Sequence, residues 1–101
     1  MSTTNIQAIS QKQKNRIRPP KKYLVMLLND DFTPMEFVVN LLMEIFHLSS
    51  TQAIAVMLLV HETGQGVCGI YQKDVAETKC LQVIKRATSA GHPLQCIIKE
   101  A

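Results

Sequence analysis

The chain has 101 residues, 47% apolar, 19% charged and 5% aromatic, a balance that fits one folded domain and excludes disorder throughout. Its longest apolar run, Ala53 to Val60, is eight residues, far short of the about 20 that a membrane-spanning helix needs, and no apolar core of a secretion signal opens the chain. The net charge of +3 is divided: residues 1–22 hold six bases and no acid, residues 23–101 five bases and eight acids, so the body repels phosphate and only the tail could attract it.

Residues 1–18 are Ser, Thr, Gln, Asn, Lys and Arg with isolated Ile and no periodicity, which predicts a disordered basic tail. Pro19 and Pro20 then stiffen the start of a domain expected over 19–101. Lys22 to Leu28 is a short apolar run without alternation. It predicts a strand that is covered on both faces or central. It stops at Asn29-Asp30-Asp31.

Thr33-Pro34-Met35-Glu36 predicts a helix start, with Thr33 as N-cap, Pro34 at the first helical position and Glu36 closing a capping box. The helix should reach about His47, with Phe37, Val38, Leu41, Leu42, Ile45 and Phe46 on its apolar face. Ser49 and Gln52 form a second capping box. The helix that follows should run to about Thr63, where Gly64 can end it.

Gly66 to Gln72 reads as a strand weakened by Gly69. Asp74 as N-cap and Glu77 three residues on predict a third helix, with Ala76, Cys80, Val83, Ile84 and Ala87 as its inner stripe and Gly91 as its stop. Pro93 to Glu100 gives a last strand. The order is β-α-α-β-α-β. One helix joins the second and third strands, which makes them parallel to each other. If both flank the first strand, a three-stranded antiparallel sheet results, packed against three helices, in the α+β class.

The residues that could carry chemistry are few. Asn29, Asp30 and Asp31 form a loop between a buried strand and a helix start. Asx residues often serve there as turn formers alone. His61 shares a helical flank with Met57 and Val60, where a lone His is more often a hydrogen-bonded structural residue than a functional one. Cys68, Cys80 and Cys96 have no metal-ligand spacing and read as reduced core thiols, the state of a reducing compartment. No glycine-rich phosphate loop exists, because the Gly64-Gln65-Gly66 pair precedes a strand. Enzymatic function has little support.

Several blocks resemble the ClpS family, the adaptors of the Clp ATP-dependent proteases. They are Tyr23 to Val38, which contains N-D-D-x-T-P-M-E-F-V from Asn29, then Met57 to His61, Ala76 to Lys79 and His92 to Cys96. The resemblance covers about residues 19–101. It implies a fold similar to the C-terminal domain of the ribosomal stalk protein. It implies an adaptor, not an enzyme, that uses no cofactor and works in the cytoplasm with neither nucleic acid nor membrane as partner.

Such adaptors bind N-degrons, proteins whose first residue is Leu, Phe, Tyr or Trp, and deliver them to the N-terminal domain of a Clp AAA+ ATPase (ClpA or ClpC). By this pattern Asn29, Asp30 and His61 would hold the substrate's α-amino group. Thr33, Met35, Val38, Met57, Val60 and Leu94 would line the side-chain pocket, and Asp31 would shape the loop. Asp74, Glu77 and Lys79 would belong to the surface that docks on the ATPase. Asp74 stands where some members have Glu. The family's tail engages the ATPase during delivery.

An α-ammonium has three donors and a full charge, and a carboxylate, an amide oxygen and a neutral imidazole can satisfy it. The tail leaves two other readings open. It could bind nucleic acid or the ribosome, or it could be an import signal, for which it is short and poor in Arg.

Overall fold

The computed structural model describes residues 19–101, so the expected disorder of the basic tail, 1–18, lies outside the described residues. The elements are β1 (Lys22–Leu28), α1 (Met35–Phe46), α2 (Ser50–Thr63), β2 (Gln65–Gln72), α3 (Lys73–Ser89) and β3 (Gln95–Glu100). The sheet order is β2-β1-β3 with both pairings antiparallel. The most apolar strand is therefore central, as its composition requires.

Val25 and Leu27 of β1 are fully buried and join one core with Val38, Leu41, Leu42, Ile45 and Phe46 of α1. Ala53, Met57 and Val60 of α2 and Ala76, Val83 and Ala87 of α3 complete it. Met26 points to the opposite face, opposite Val67 and Ile97. Val67, Ile70 and Ile97 are exposed there. The second face of β1 is thus shielded by neighbouring strands, not by a helix.

Three expected details differ. Pro34, not Thr33, holds the N-cap position of α1, and no side chain caps that end. The Thr33 hydroxyl is committed elsewhere: it donates to Asp30 Oδ2 at 2.7 Å. Asp74 is not the N-cap of α3. β2 runs straight into the helix at Gln72, leaving Asp74 inside the first turn, where it accepts the Val75 N–H at 2.9 Å and still favours the positive end of the helix dipole. Ile84 is exposed and not part of the inner stripe. It sits one position beyond Val83, which points inward.

The Ser49–Gln52 capping box forms with both bonds at 3.1 Å. α2 ends at Gly64, whose φ of 95° is open to glycine at little cost.

β1 and β2 lose register between Val25 and Met26, where Gly69 opposes Val25, Val67 opposes Met26 and Cys68 is left over. This bulge is what Gly69 marks. A Cβ on Gly69 would lie 2.5 Å from the Tyr71 hydroxyl oxygen and 2.6 Å from its ring. Tyr71 is half-buried against Phe46. Gly69→Ala is therefore expected to destabilise the domain by about 1–3 kcal/mol through overpacking, read as a lower urea midpoint at unchanged slope. An unaltered midpoint would mean that Tyr71 swings aside freely.

Candidate functional site

At the end of the sheet where β1 stops, four segments meet around a cavity of about 210 Å³. Its lining is Leu28 and the Asn29-Asp30-Asp31 loop, Thr33, Met35 and Val38 around the start of α1, Met57, Val60 and His61 of α2, and Leu94 ahead of β3. All nine residues expected to hold the amine or line the pocket come together here, and Asp31 stands with them. Leu28 is a wall that sequence reasoning missed. Its signal was its place as the last apolar residue before the acidic loop.

The interior is apolar because Val38, Met57, Val60 and Leu94 are buried. The polar groups stand at the mouth: Asn29, Asp31 and His61 are exposed and Asp30 is half-buried. The Asn29 N–H donates to the Gly64 carbonyl at 2.9 Å, tying the loop to the end of α2, where His61 lies in the last turn.

Asp30 organises the loop. Its Oδ1 accepts the N–H groups of Phe32 at 2.8 Å and Thr33 at 2.7 Å, and its Oδ2 accepts the Thr33 hydroxyl. Burial pushes its carboxyl up. The Thr33 hydroxyl, the two N–H groups and the nearby His92 together outweigh burial and hold it below its ordinary 3.8. Asp30 is therefore an anion at neutral pH, beside a pocket of aliphatic and thioether side chains. That is a place for a cation attached to an apolar group.

The segment that carries Leu94 is fixed from a distance. His92 meets Phe37 of α1 edge-on with ring centroids 4.6 Å apart, and its N–H donates to the Ala87 carbonyl at 2.8 Å. In the sequence His92 appears only as the first residue of the His92 to Cys96 block, with no role of its own. Among the described residues no group of three His, Cys, Asp or Glu side chains gathers to hold a metal.

The three thiols are free. Cys68 and Cys96 are buried, and Cys80 is half-buried and donates to the Cys96 carbonyl at 3.0 Å. Burial raises Cys68 to about 12 and raises Cys96 as well, which leaves them without nucleophilic thiolate at neutral pH.

Asp74 and Glu77 lie on the first turns of α3, in a shallow groove with Pro20, Lys21, Tyr23, Gln72 and Lys73. Lys79 projects from another side of the helix. Its ammonium donates to the Ile45 carbonyl at 2.6 Å, near the C-terminal end of α1, and stands 5.7 Å from the Tyr71 ring centre and 6.0 Å from that of Phe46. α1 has no base of its own in its last turn, so α3 supplies the cation that the helix dipole favours. No helix among the described residues is long and apolar enough to cross a membrane.

The sheet, its three helices and this pocket define a small α+β domain with a concave apolar site at one end of the sheet. The family model described as ATP-dependent Clp protease adaptor protein ClpS matches residues 18–97. An ATP-dependent Clp protease adapter protein ClpS of Neisseria meningitidis serogroup B is 62% identical over 82 residues, which are 81% of this chain and 82% of that protein. The namesake of Paraburkholderia xenovorans is 52% identical over 93 residues, 92% of this chain and 89% of the relative. A solved structure of Agrobacterium tumefaciens ClpS2 bound to L-phenylalaninamide superposes with a TM-score of 0.80 at 38% identity, covering 82% of this chain and 100% of that one. The chain belongs to the ClpS family of ATP-dependent Clp protease adaptors.

Proposed function

We propose that this adaptor captures N-degrons, proteins with a free α-amino group and Leu, Phe, Tyr or Trp as first residue, and delivers them to a Clp AAA+ ATPase, ClpA or ClpC, in the cytoplasm. The observation that carries the reading is the placement of Asn29, Asp30 and His61 at the mouth of an apolar cavity. The α-ammonium is held by the Asp30 carboxylate, the Asn29 amide oxygen and the His61 ring, and the side chain enters among Thr33, Met35, Val38, Met57, Val60 and Leu94. Asp31, in the same loop, shapes it. The ligand of the Agrobacterium structure supports this chemistry, since phenylalaninamide joins a free amine to an aromatic side chain.

Charge-assisted bonds contribute roughly 1.5–3 kcal/mol each, and burying a Leu or Phe side chain adds roughly 1.5–3 kcal/mol. Ordering the peptide end opposes both. The balance gives affinity of micromolar order, about −8 kcal/mol, suited to a carrier that releases its cargo. No step requires a cofactor or a bond broken by this chain.

The test compares a Leu-initiated peptide with its N-acetylated form by fluorescence anisotropy. Acetylation removes the charge and two donors and is expected to cost at least about 30-fold, about 2 kcal/mol. Equal binding of both forms would defeat the reading.

Delivery needs a second surface, which we assign to Asp74, Glu77 and Lys79 of α3. Asp74 and Glu77 are exposed, and Lys79 keeps the neighbouring end of α1 in place. Glu77→Lys is expected to weaken binding of the ATPase N-terminal domain about tenfold while leaving peptide binding unchanged, since it alters charge complementarity at one surface only. Loss of both activities together would place the two sites on one surface.

A further inference from the structure

We propose that Ile54 and Leu58 of α2 form a second contact for the bound peptide and select an apolar side chain at its third residue; this rests on the degron-binding reading above. Ile54, Met57, Leu58 and His61 have the i, i+3, i+4, i+7 spacing that places side chains on one helical face. Met57 is buried in the pocket wall and His61 stands at its mouth. Ile54 and Leu58 continue that face outward, 44% and 41% exposed.

The direction of the peptide follows from the loop. The Asn29 N–H to Gly64 carbonyl bond closes the C-terminal end of α2, so the exposed apolar surface of this helix, Leu58 and Ile54, continues from His61 toward its N-terminus. At about 1.5 Å per residue, Leu58 lies about 4.5 Å and Ile54 about 10.5 Å along the axis from His61. An extended peptide advances about 3.4 Å per residue, and alternate side chains point the same way. Its third side chain therefore shares the protein-facing side of the first. It stands about 6.8 Å further on, in the notch between Leu58 and Ile54. The second side chain faces solvent. Both walls of the notch are aliphatic and make no hydrogen bond through their side chains, so they accept an apolar residue.

The experiment titrates the full chain with labelled peptides beginning Leu-Ser-Leu, Leu-Leu-Ser and Leu-Ser-Ser, identical thereafter, each free and N-acetylated. Wild type is expected to bind Leu-Ser-Leu three- to tenfold more tightly than Leu-Ser-Ser, with little gain from Leu at the second position. The double variant Ile54→Ala, Leu58→Ala should erase the difference and keep the affinity for Leu-Ser-Ser. Ala preserves helix propensity, and unchanged circular dichroism verifies the fold. A preference that persists in the double variant, or wild type indifferent to the third residue, overturns the proposal. Acetylation separates this failure from that of the pocket: if acetylated peptides bind as well as free ones, both readings fall. If acetylation abolishes binding and the third residue is without effect, this one alone falls.

Discussion

Asp30→Ala is expected to weaken capture of a Leu-initiated peptide at least tenfold, about 1.4 kcal/mol or more, and to loosen the loop as well. The two effects share a cause. A carboxylate offers about four acceptor positions, and Phe32, Thr33 N–H and the Thr33 hydroxyl use three of them. One position remains, with the full charge, on a residue that lines the cavity. Asp30→Asn separates the roles, because an amide oxygen can still accept the two N–H groups but carries no charge. That variant should retain slow amide exchange at Phe32 and Thr33 and lose most of the peptide affinity. If either variant changes affinity less than about threefold, roughly 0.7 kcal/mol, the loop is a turn and nothing more.

The pH dependence follows from the same contacts. The carboxyl of Asp30 is depressed in the folded protein, so the stability it lends the loop is complete above its ordinary 3.8 and is lost as pH falls through the lower folded value. Asp30 thus contributes no loss of binding between neutrality and about pH 4. A carboxyl titration followed by NMR should place its midpoint below 3.8. A midpoint above that value would mean that burial outweighs the hydrogen bonds.

Met35→Ala is expected to admit peptides that begin with Val or Ile, raising their affinity about 5- to 150-fold, while binding of Leu changes little. Met35 is the first residue of α1, nearly half exposed, and lines the cavity with Val38 three residues on. With a degron seated as proposed, the Met35 thioether would lie close to the ligand's Cβ. Leu and Phe branch one atom later and pass it, whereas Val and Ile branch at Cβ and are stiff there. Overpacking of this kind costs roughly 1–3 kcal/mol, which gives the range above. Partial exposure keeps the cost to the fold small. Four peptides differing only in residue one, titrated against both proteins, provide the measurement. If the variant still refuses Val and Ile, selection lies deeper, at Met57 or Leu94.

Local patterns in the sequence carried the fold well. The run Lys22–Leu28 announced a central strand because three consecutive buried residues, Val25, Met26 and Leu27, need cover on both sides. Ser49 and Gln52 announced α2 because both halves of the box lie within one turn. The cap of α1 is not legible locally because Thr33 has two potential partners, and the choice of Asp30 depends on how the preceding loop folds. The uncapped start of α3 is not legible either, because nothing local says that a strand will run into a helix without a turn.

In the pocket, the resemblance supplied Leu94, which is 65 positions after Asn29 and has no local signature of its own. The contact that fixes its segment, His92 on Phe37, is equally remote. Leu28 was legible in place but not in role. Why Lys79 belongs to the end of α1 could not be read either, since that ammonium reaches across 34 positions of sequence.

The dispersal of the pocket walls along the chain has a consequence for biogenesis. Leu94 precedes β3, the last element in chain order, and β1 gains its second neighbour only when β3 pairs with it. During synthesis, a ribosome that has completed α3 has made the Asn29-Asp30-Asp31 loop and both helical walls but not the final wall. Such an intermediate has β1 as a sheet edge, open to strand pairing with other chains, and no closed cavity. Closure of the apolar cavity thus waits on the segment that leads into the final strand.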